Sequence, residues 1–154
     1  MIEQGALRDR PPSAVLDTNT VLDLLLIDDP AARPLRDALD AGTLRWISTE
    51  HMCAELQGVL LRPQMGRWQP PTRARQVLDQ AAQWMQICPP AATGDAPRCR
   101  DPADQPFIDL AWSAGARWLI TRDKALLELA RPARVRGVTV CTPGAWPGSA
   151  VELD

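Results

Sequence analysis

Apolar residues fall in short blocks along the chain, and the blocks alternate between two periods. Ala14–Leu16, Arg45–Ser48, Gln86–Cys88, Trp118–Thr121 and Val138–Cys141 are too short for helices and read as strands. Helical patterns lie between them. Val21–Ile27 predicts a buried helix directly behind the first strand, stopped by Asp28-Asp29-Pro30. A second helix starts at Pro30 or Pro34 and runs to about Ala41, with Leu35 and Leu39 inward and Gly42 as its C-terminal cap. Thr49 caps a helix to about Leu61, whose apolar face is Met52, Leu56, Val59 and Leu60. Thr72 to Met85 is helical, with Val77, Leu78, Ala81 and Met85 inward. Gln105–Ala114 follows, with Asp104 as its N-cap and Gly115 at its end, and then a short helix, Lys124–Ala130. Strands alternating with helices imply an α/β fold with a parallel sheet covered on both faces. Residues 1–13 read as a loose leader, and 14–154 as a single domain ending in an irregular tail.

Composition narrows the chemistry. No apolar run approaches the ~20 residues that cross a bilayer, and the N-terminus has no basic-then-apolar signal pattern, so a cytoplasmic location is expected. Cys53, Cys88, Cys99 and Cys141 are widely spaced, and His51 is the one histidine, which argues against a structural zinc site. The cysteines read as reduced, mostly buried thiols, and His51 as a helix-surface residue. Net charge is -2, and Lys124 is the one lysine among 17 basic residues. The rest are arginines, the side chain best shaped for phosphate.

The acids carry the functional signal. Asp17 follows the first strand, Glu55 lies about two turns into the helix after the second, Asp104 opens the helix after the Pro89–Pro102 loop, and Asp123 sits two residues past Thr121. In an open parallel sheet, ligands bind outside the carboxyl ends of the strands. Three of these acids belong at that edge, and Glu55 reaches it from an adjacent helix; Glu50 competes for Glu55's role. Taken singly, each has an ordinary use as a cap, a turn or a wetted helix face. Together they would repel by about 4 kcal/mol per close pair at an effective dielectric near 20. Cations relieve that repulsion, and hard oxygen ligands select Mg²⁺ or Mn²⁺. Neutralising the four would take the net charge from -2 to +2 (-2 plus 4), a surface compatible with a polyanion.

Leu16-Asp17-Thr18-Asn19, Ala54-Glu55-Leu56, Asp101-Pro102-Ala103-Asp104, Phe107–Ala111 and Thr121–Leu127, in that order, resemble the motifs of PIN-domain nucleases. The likeness spans roughly residues 14 to 143 and is strongest to the branch of toxins from toxin–antitoxin pairs. It implies a three-layer α/β/α sandwich with a central parallel sheet, and a Mg²⁺- or Mn²⁺-dependent ribonuclease. It also implies that Asp17, Glu55, Asp104 and Asp123 are the catalytic metal-site acids, oriented by Thr18, Asn19 and Thr121. Pro106 departs from the pattern, so Asp101 can share or take over the third role. Arg98, Arg100, Arg122 and Lys124 are placed to grip the RNA backbone. The implied partners are an RNA substrate and a small antitoxin, with Trp68, Trp84 and Trp112 as candidates to line its groove; a homodimer is left open. Two alternatives stand. Asp17-Thr18-Asn19-Thr20 resembles the aspartyl-phosphate motif of haloacid-dehalogenase-like phosphatases, although Asn19 replaces the second acid. A PIN-like domain that only binds RNA or protein is the other.

Overall fold

The computed structural model describes residues 10–62, 70–91 and 94–148. Strand β1 (Ser13–Leu16) lies at the centre of a five-stranded sheet. The others are β2 (Arg45–Ser48), β3 (Met85–Ile87), β4 (Trp118–Ile120) and β5 (Thr139–Cys141), in spatial order β3-β2-β1-β4-β5, with every pair parallel. Ala14 is in register with both Trp46 and Trp118, and Val15 with both Ile47 and Leu119. Because side chains alternate faces along a strand, this register sorts the apolar residues into two cores.

Ala14, Leu16, Trp46, Trp118 and Ile120 build one core. It is covered by α1 (Thr18–Leu22), α2 (Arg33–Ala41), Leu56 and Leu60 of α3 (Glu50–Leu60), and α4 (Pro71–Trp84). Val15, Ile47, Leu119 and Val140 build the other, covered by α5 (Gln105–Ala114), α6 (Lys124–Leu127) and α7 (Ala130–Arg134). The result is the three-layer α/β/α sandwich expected. Among the described residues no helix is long and apolar enough to cross a membrane.

Local chemistry accounts for most element ends. Thr49 accepts from the Met52 N–H at 3.2 Å, and Gly42 and Gly115 close α2 and α5 in the left-handed region that glycine adopts without steric cost. Other expectations are corrected. The Val21–Ile27 helix is instead α1 followed by one widened π-type turn, Asp23–Ile27, closed by Asp28 at φ 56°. Its loosened carbonyls are taken by arginines: Arg36 donates to Leu24 O at 3.4 Å and Arg73 to Leu25 O at 2.8 Å. The third strand begins at Met85, which is a strand residue and not the helix end. The helix expected over Lys124–Ala130 is two short ones, because Pro132 supplies no N–H and its ring clashes with the carbonyl four residues back.

The end of the expected leader is tied down: Arg45 donates from its backbone to Pro12 O and from its side chain to Pro11 O. Residues 1–9 lie outside the described residues. The start of the tail is also ordered, with Trp146 packed edge-to-face on Trp118 at 5.4 Å between ring centres. All four cysteines are free thiols, but Cys99 alone is buried; Cys53, Cys88 and Cys141 are half-buried. His51 is exposed on α3, as expected. Trp84 packs on the first core and Trp112 belongs to α5 on the opposite layer, so the two cannot line one groove; Trp68 lies outside the described residues.

Candidate metal centre

Asp17 leaves β1 at the sheet's carboxyl edge, beside the end of β4. It is 5 % exposed. One carboxylate oxygen caps α1 by accepting the Thr20 N–H at 2.9 Å; the other accepts the Thr121 hydroxyl at 2.5 Å. The same Thr121 oxygen accepts the Asp123 N–H at 2.9 Å. Asp123 in turn caps α6 through the Ala125 N–H at 2.8 Å. Thr121 is fully buried, so one hydroxyl ties together two acids that are 106 residues apart in the chain (123 minus 17).

Asp101 and Asp104 reach this edge from the turn before α5. Asp101 caps that turn, accepting from the Ala103 N–H at 3.0 Å. Asp104 holds the N-cap position of α5 but makes no capping bond, contrary to expectation. Two features account for the difference: the helical backbone of Asp104 (φ -95°, ψ -10°), where a capping residue is extended, and Pro106. An N-cap side chain accepts from the second or third helical N–H, and proline at the second position has none. The Asp104 carboxylate is therefore left to face other acids. Asp101, Asp104 and Asp123 each offer an oxygen within 4.8 Å of the others. Asp104 Oδ2 is buried and has no hydrogen-bond partner. Burial first, then a carboxyl–carboxylate hydrogen bond to Asp123 that only the protonated form can make, and then the charges of Asp123, Asp101 and Asp17, push the Asp104 carboxyl up to about 7. Burial also raises Asp17, against the opposing hydrogen bonds from Thr121 and Thr20. Three hard oxygens, one without a partner and all in mutual repulsion, fit a divalent cation.

Glu55 stands apart from the three aspartates. It is exposed on α3, and its Oε2 accepts the Thr18 hydroxyl at 2.7 Å, which holds it next to Asp17's neighbour. The family model described as PIN domain matches residues 13–125. The chain belongs to the PIN-domain family. No curated protein matches it. The PIN domain is a nuclease-type fold, and the matched span holds all five acids, while β5 and Trp146 lie beyond it.

Around this PIN-domain edge, the other expected residues are placed as follows. Asn19 is exposed and makes no side-chain hydrogen bond among the described residues, while the neighbouring Thr20 hydroxyl donates to Ile120 O at 3.1 Å. Arg122 forks onto the buried Asp23 at 2.6 and 2.9 Å, and Arg100 pairs with Glu128 at 2.8 Å on the surface. Arg98 and Lys124 are exposed and make no ion pair among the described residues. Both oxygens of Asp17 are engaged, which places it poorly as the nucleophile of the phosphatase alternative. Gln105 was not anticipated. It is buried, accepts from Cys99 N at 2.6 Å, and donates to Pro97 O at 3.0 Å and Asp109 Oδ1 at 2.9 Å, fastening the loop before α5. Asp23 did leave a sequence signal, a charge inside an apolar run; Gln105 left none.

Proposed function

We infer that this PIN domain is a Mg²⁺- or Mn²⁺-dependent ribonuclease, the toxin of a toxin–antitoxin pair. The observation that carries the reading is Asp104 Oδ2, a buried carboxylate oxygen without a partner inside a group of three aspartates. Asp101, Asp104 and Asp123 would hold the ion, with Asp17 and Glu55 flanking it. A divalent ion bound there lowers the pKa of water and stabilises negative charge on the phosphoryl oxygens. Thr121 sets the direction of both Asp17 and Asp123, and the Thr18 hydroxyl fixes Glu55. Arg98 and Lys124 supply backbone contacts. No step requires a histidine or cysteine nucleophile, in keeping with an exposed His51 and a buried Cys99.

Calorimetric titration of Mn²⁺, paired with cleavage of a mixed single-stranded RNA, tests the reading. Asp104→Asn is expected to lose both metal binding and cleavage. Retained cleavage in that variant refutes the reading; metal binding without any cleavage supports the binding-only alternative. The toxin role adds a demand of its own. An antitoxin that places an arginine among these carboxylates competes with the ion, so inhibition weakens as Mg²⁺ rises. Inhibition independent of Mg²⁺ would rule out this mode of restraint.

A further inference from the structure

A cavity opens between the start of α3, the first turns of α5 and the loop after β3. It has a volume of about 210 Å³ and is lined by Thr49, His51 and Met52 from the start of α3, Pro106 and Asp109 from α5, and Pro90 and Ala91 after β3. None of the catalytic candidates lines it. Asp109 is the unusual member, a carboxylate that is only 6 % exposed. Its Oδ1 is pinned by Gln105, while Oδ2 accepts no hydrogen bond among the described residues. Among the described residues the lining that Asp109 shares holds no arginine or lysine as a countercharge.

We propose that this cavity is a base-recognition pocket for an unpaired guanine of the RNA substrate; the assignment of RNA rests on the function inferred above. The walls suit a planar heterocycle: two proline rings, a methionine and an exposed imidazole give flat, weakly polar faces. A cavity of about 150 Å³ already accepts a benzene ring, so the volume is adequate. The uncompensated carboxylate repels phosphate and selects N–H donors. Guanine carries two adjacent donors, N1–H and N2–H, that match the two oxygens of one carboxylate. Uracil offers one N–H between two carbonyls, and adenine and cytosine place a ring acceptor beside their amino group, which sets lone pairs against Asp109. Position agrees with the role. Asp109 is five residues from Asp104 and His51 is four from Glu55, so the pocket lies ~6–8 Å along each helix from the acids.

The test uses the full chain and does not read cleavage. GMP, AMP, CMP and UMP are titrated while the imidazole NMR signal is followed, and the signal is unambiguous because the chain has 1 histidine. The four ligands carry the same phosphate, so their ratio isolates the base. GMP is expected to bind on the order of tenfold or more tighter than UMP, as a lost bidentate contact would give. Asp109→Asn, which keeps an oxygen for Gln105, is expected to bring GMP to the UMP level. A His51 signal that no nucleotide moves, or a guanine preference that survives in Asp109→Asn, overturns the proposal. Should that variant fail to fold, His51→Ala serves, its side chain being exposed; calorimetry should show GMP weakened severalfold, and unchanged affinity overturns it. Guanine discrimination in a protein that cleaves no RNA would leave the pocket standing and remove the nuclease reading. Cleavage without discrimination would remove only the pocket.

Discussion

At the scale of single residues, Asp104 is where stability and function oppose each other. Its carboxyl is raised in the folded protein to about 7, above the ordinary 3.8. The folded state therefore binds more protons than the unfolded one between those values, and stability falls as pH rises through that interval. Metal-free protein is expected to melt higher at pH 6 than at pH 8. Asp104→Asn should melt higher than the wild type at pH 8 and lose most of this dependence. Thermal unfolding in chelator at the two pH values checks both, and a variant that melts lower at pH 8 would make Asp104 a structural residue. Proton and ion compete for the same oxygens, so metal affinity should weaken as pH falls below about 7. Thr121 is the second decisive residue. Thr121→Val leaves Asp17 Oδ2 and the Asp123 N–H without their shared partner in a buried site, at a cost of about 1–3 kcal/mol. Thr121→Ser keeps the hydroxyl and should restore both stability and cleavage, measured by denaturant unfolding and RNA hydrolysis; equal losses in the two variants would mean that packing of the methyl group is what matters.

At the scale of elements, the start of α5 is built to leave a carboxylate unspent. The helical backbone of Asp104 turns its side chain from one of the two N–H groups that it could cap, and Pro106 removes the other. Pro106→Ala restores that N–H, and the expected result is a helix more stable by about 0.5–1 kcal/mol and a metal affinity reduced severalfold. Calorimetry with Mn²⁺ on a variant confirmed to melt higher checks this trade; higher stability with undiminished affinity would show that the cap and the ion do not compete. The same elements show what a sequence discloses. Caps at Thr49, Asp123, Gly42 and Gly115 are local events, decided by a residue and its neighbours three or four positions away, and they were legible. So was the placement of Asp17 and Asp123 at one edge, since it follows from strand order in a parallel sheet. The failed cap at Asp104 was legible only in part: Pro106 stands in the motif, but the helical backbone of Asp104 is set by the turn that precedes it. The Asp23–Arg122 fork was not, since it joins residues 99 apart through a widened helical turn that no local propensity predicts. Nor was the break between α6 and α7 read correctly, although Pro132 marks it.

At the scale of the whole molecule, the proposed ribonuclease function raises the question of how a chain of net charge -2 would hold a polyanion. The basic residues near the acids divide into two kinds. Arg122 and Arg100 are ion-paired, with Asp23 and Glu128, whereas Arg98 and Lys124 are exposed without an ion pair among the described residues. The first kind should act on stability and the second on binding. Arg122→Ala leaves the Asp23 carboxylate, 3 % exposed, without its fork, and the loss is about 1–3 kcal/mol of stability. Arg98→Ala and Lys124→Ala should leave the melting temperature unchanged and weaken RNA binding. Each phosphate contact to a single strand contributes about 0.7 to the slope of log K against log salt, so the double variant should flatten that slope by about 1.4. Binding of a non-cleavable single-stranded RNA between low and moderate salt, with a divalent ion present to neutralise the acids, measures it. If the double variant keeps the wild-type slope, or if Arg122→Ala flattens the slope without lowering the melting temperature, the division is wrong and the RNA runs along the Asp23 side of the edge instead.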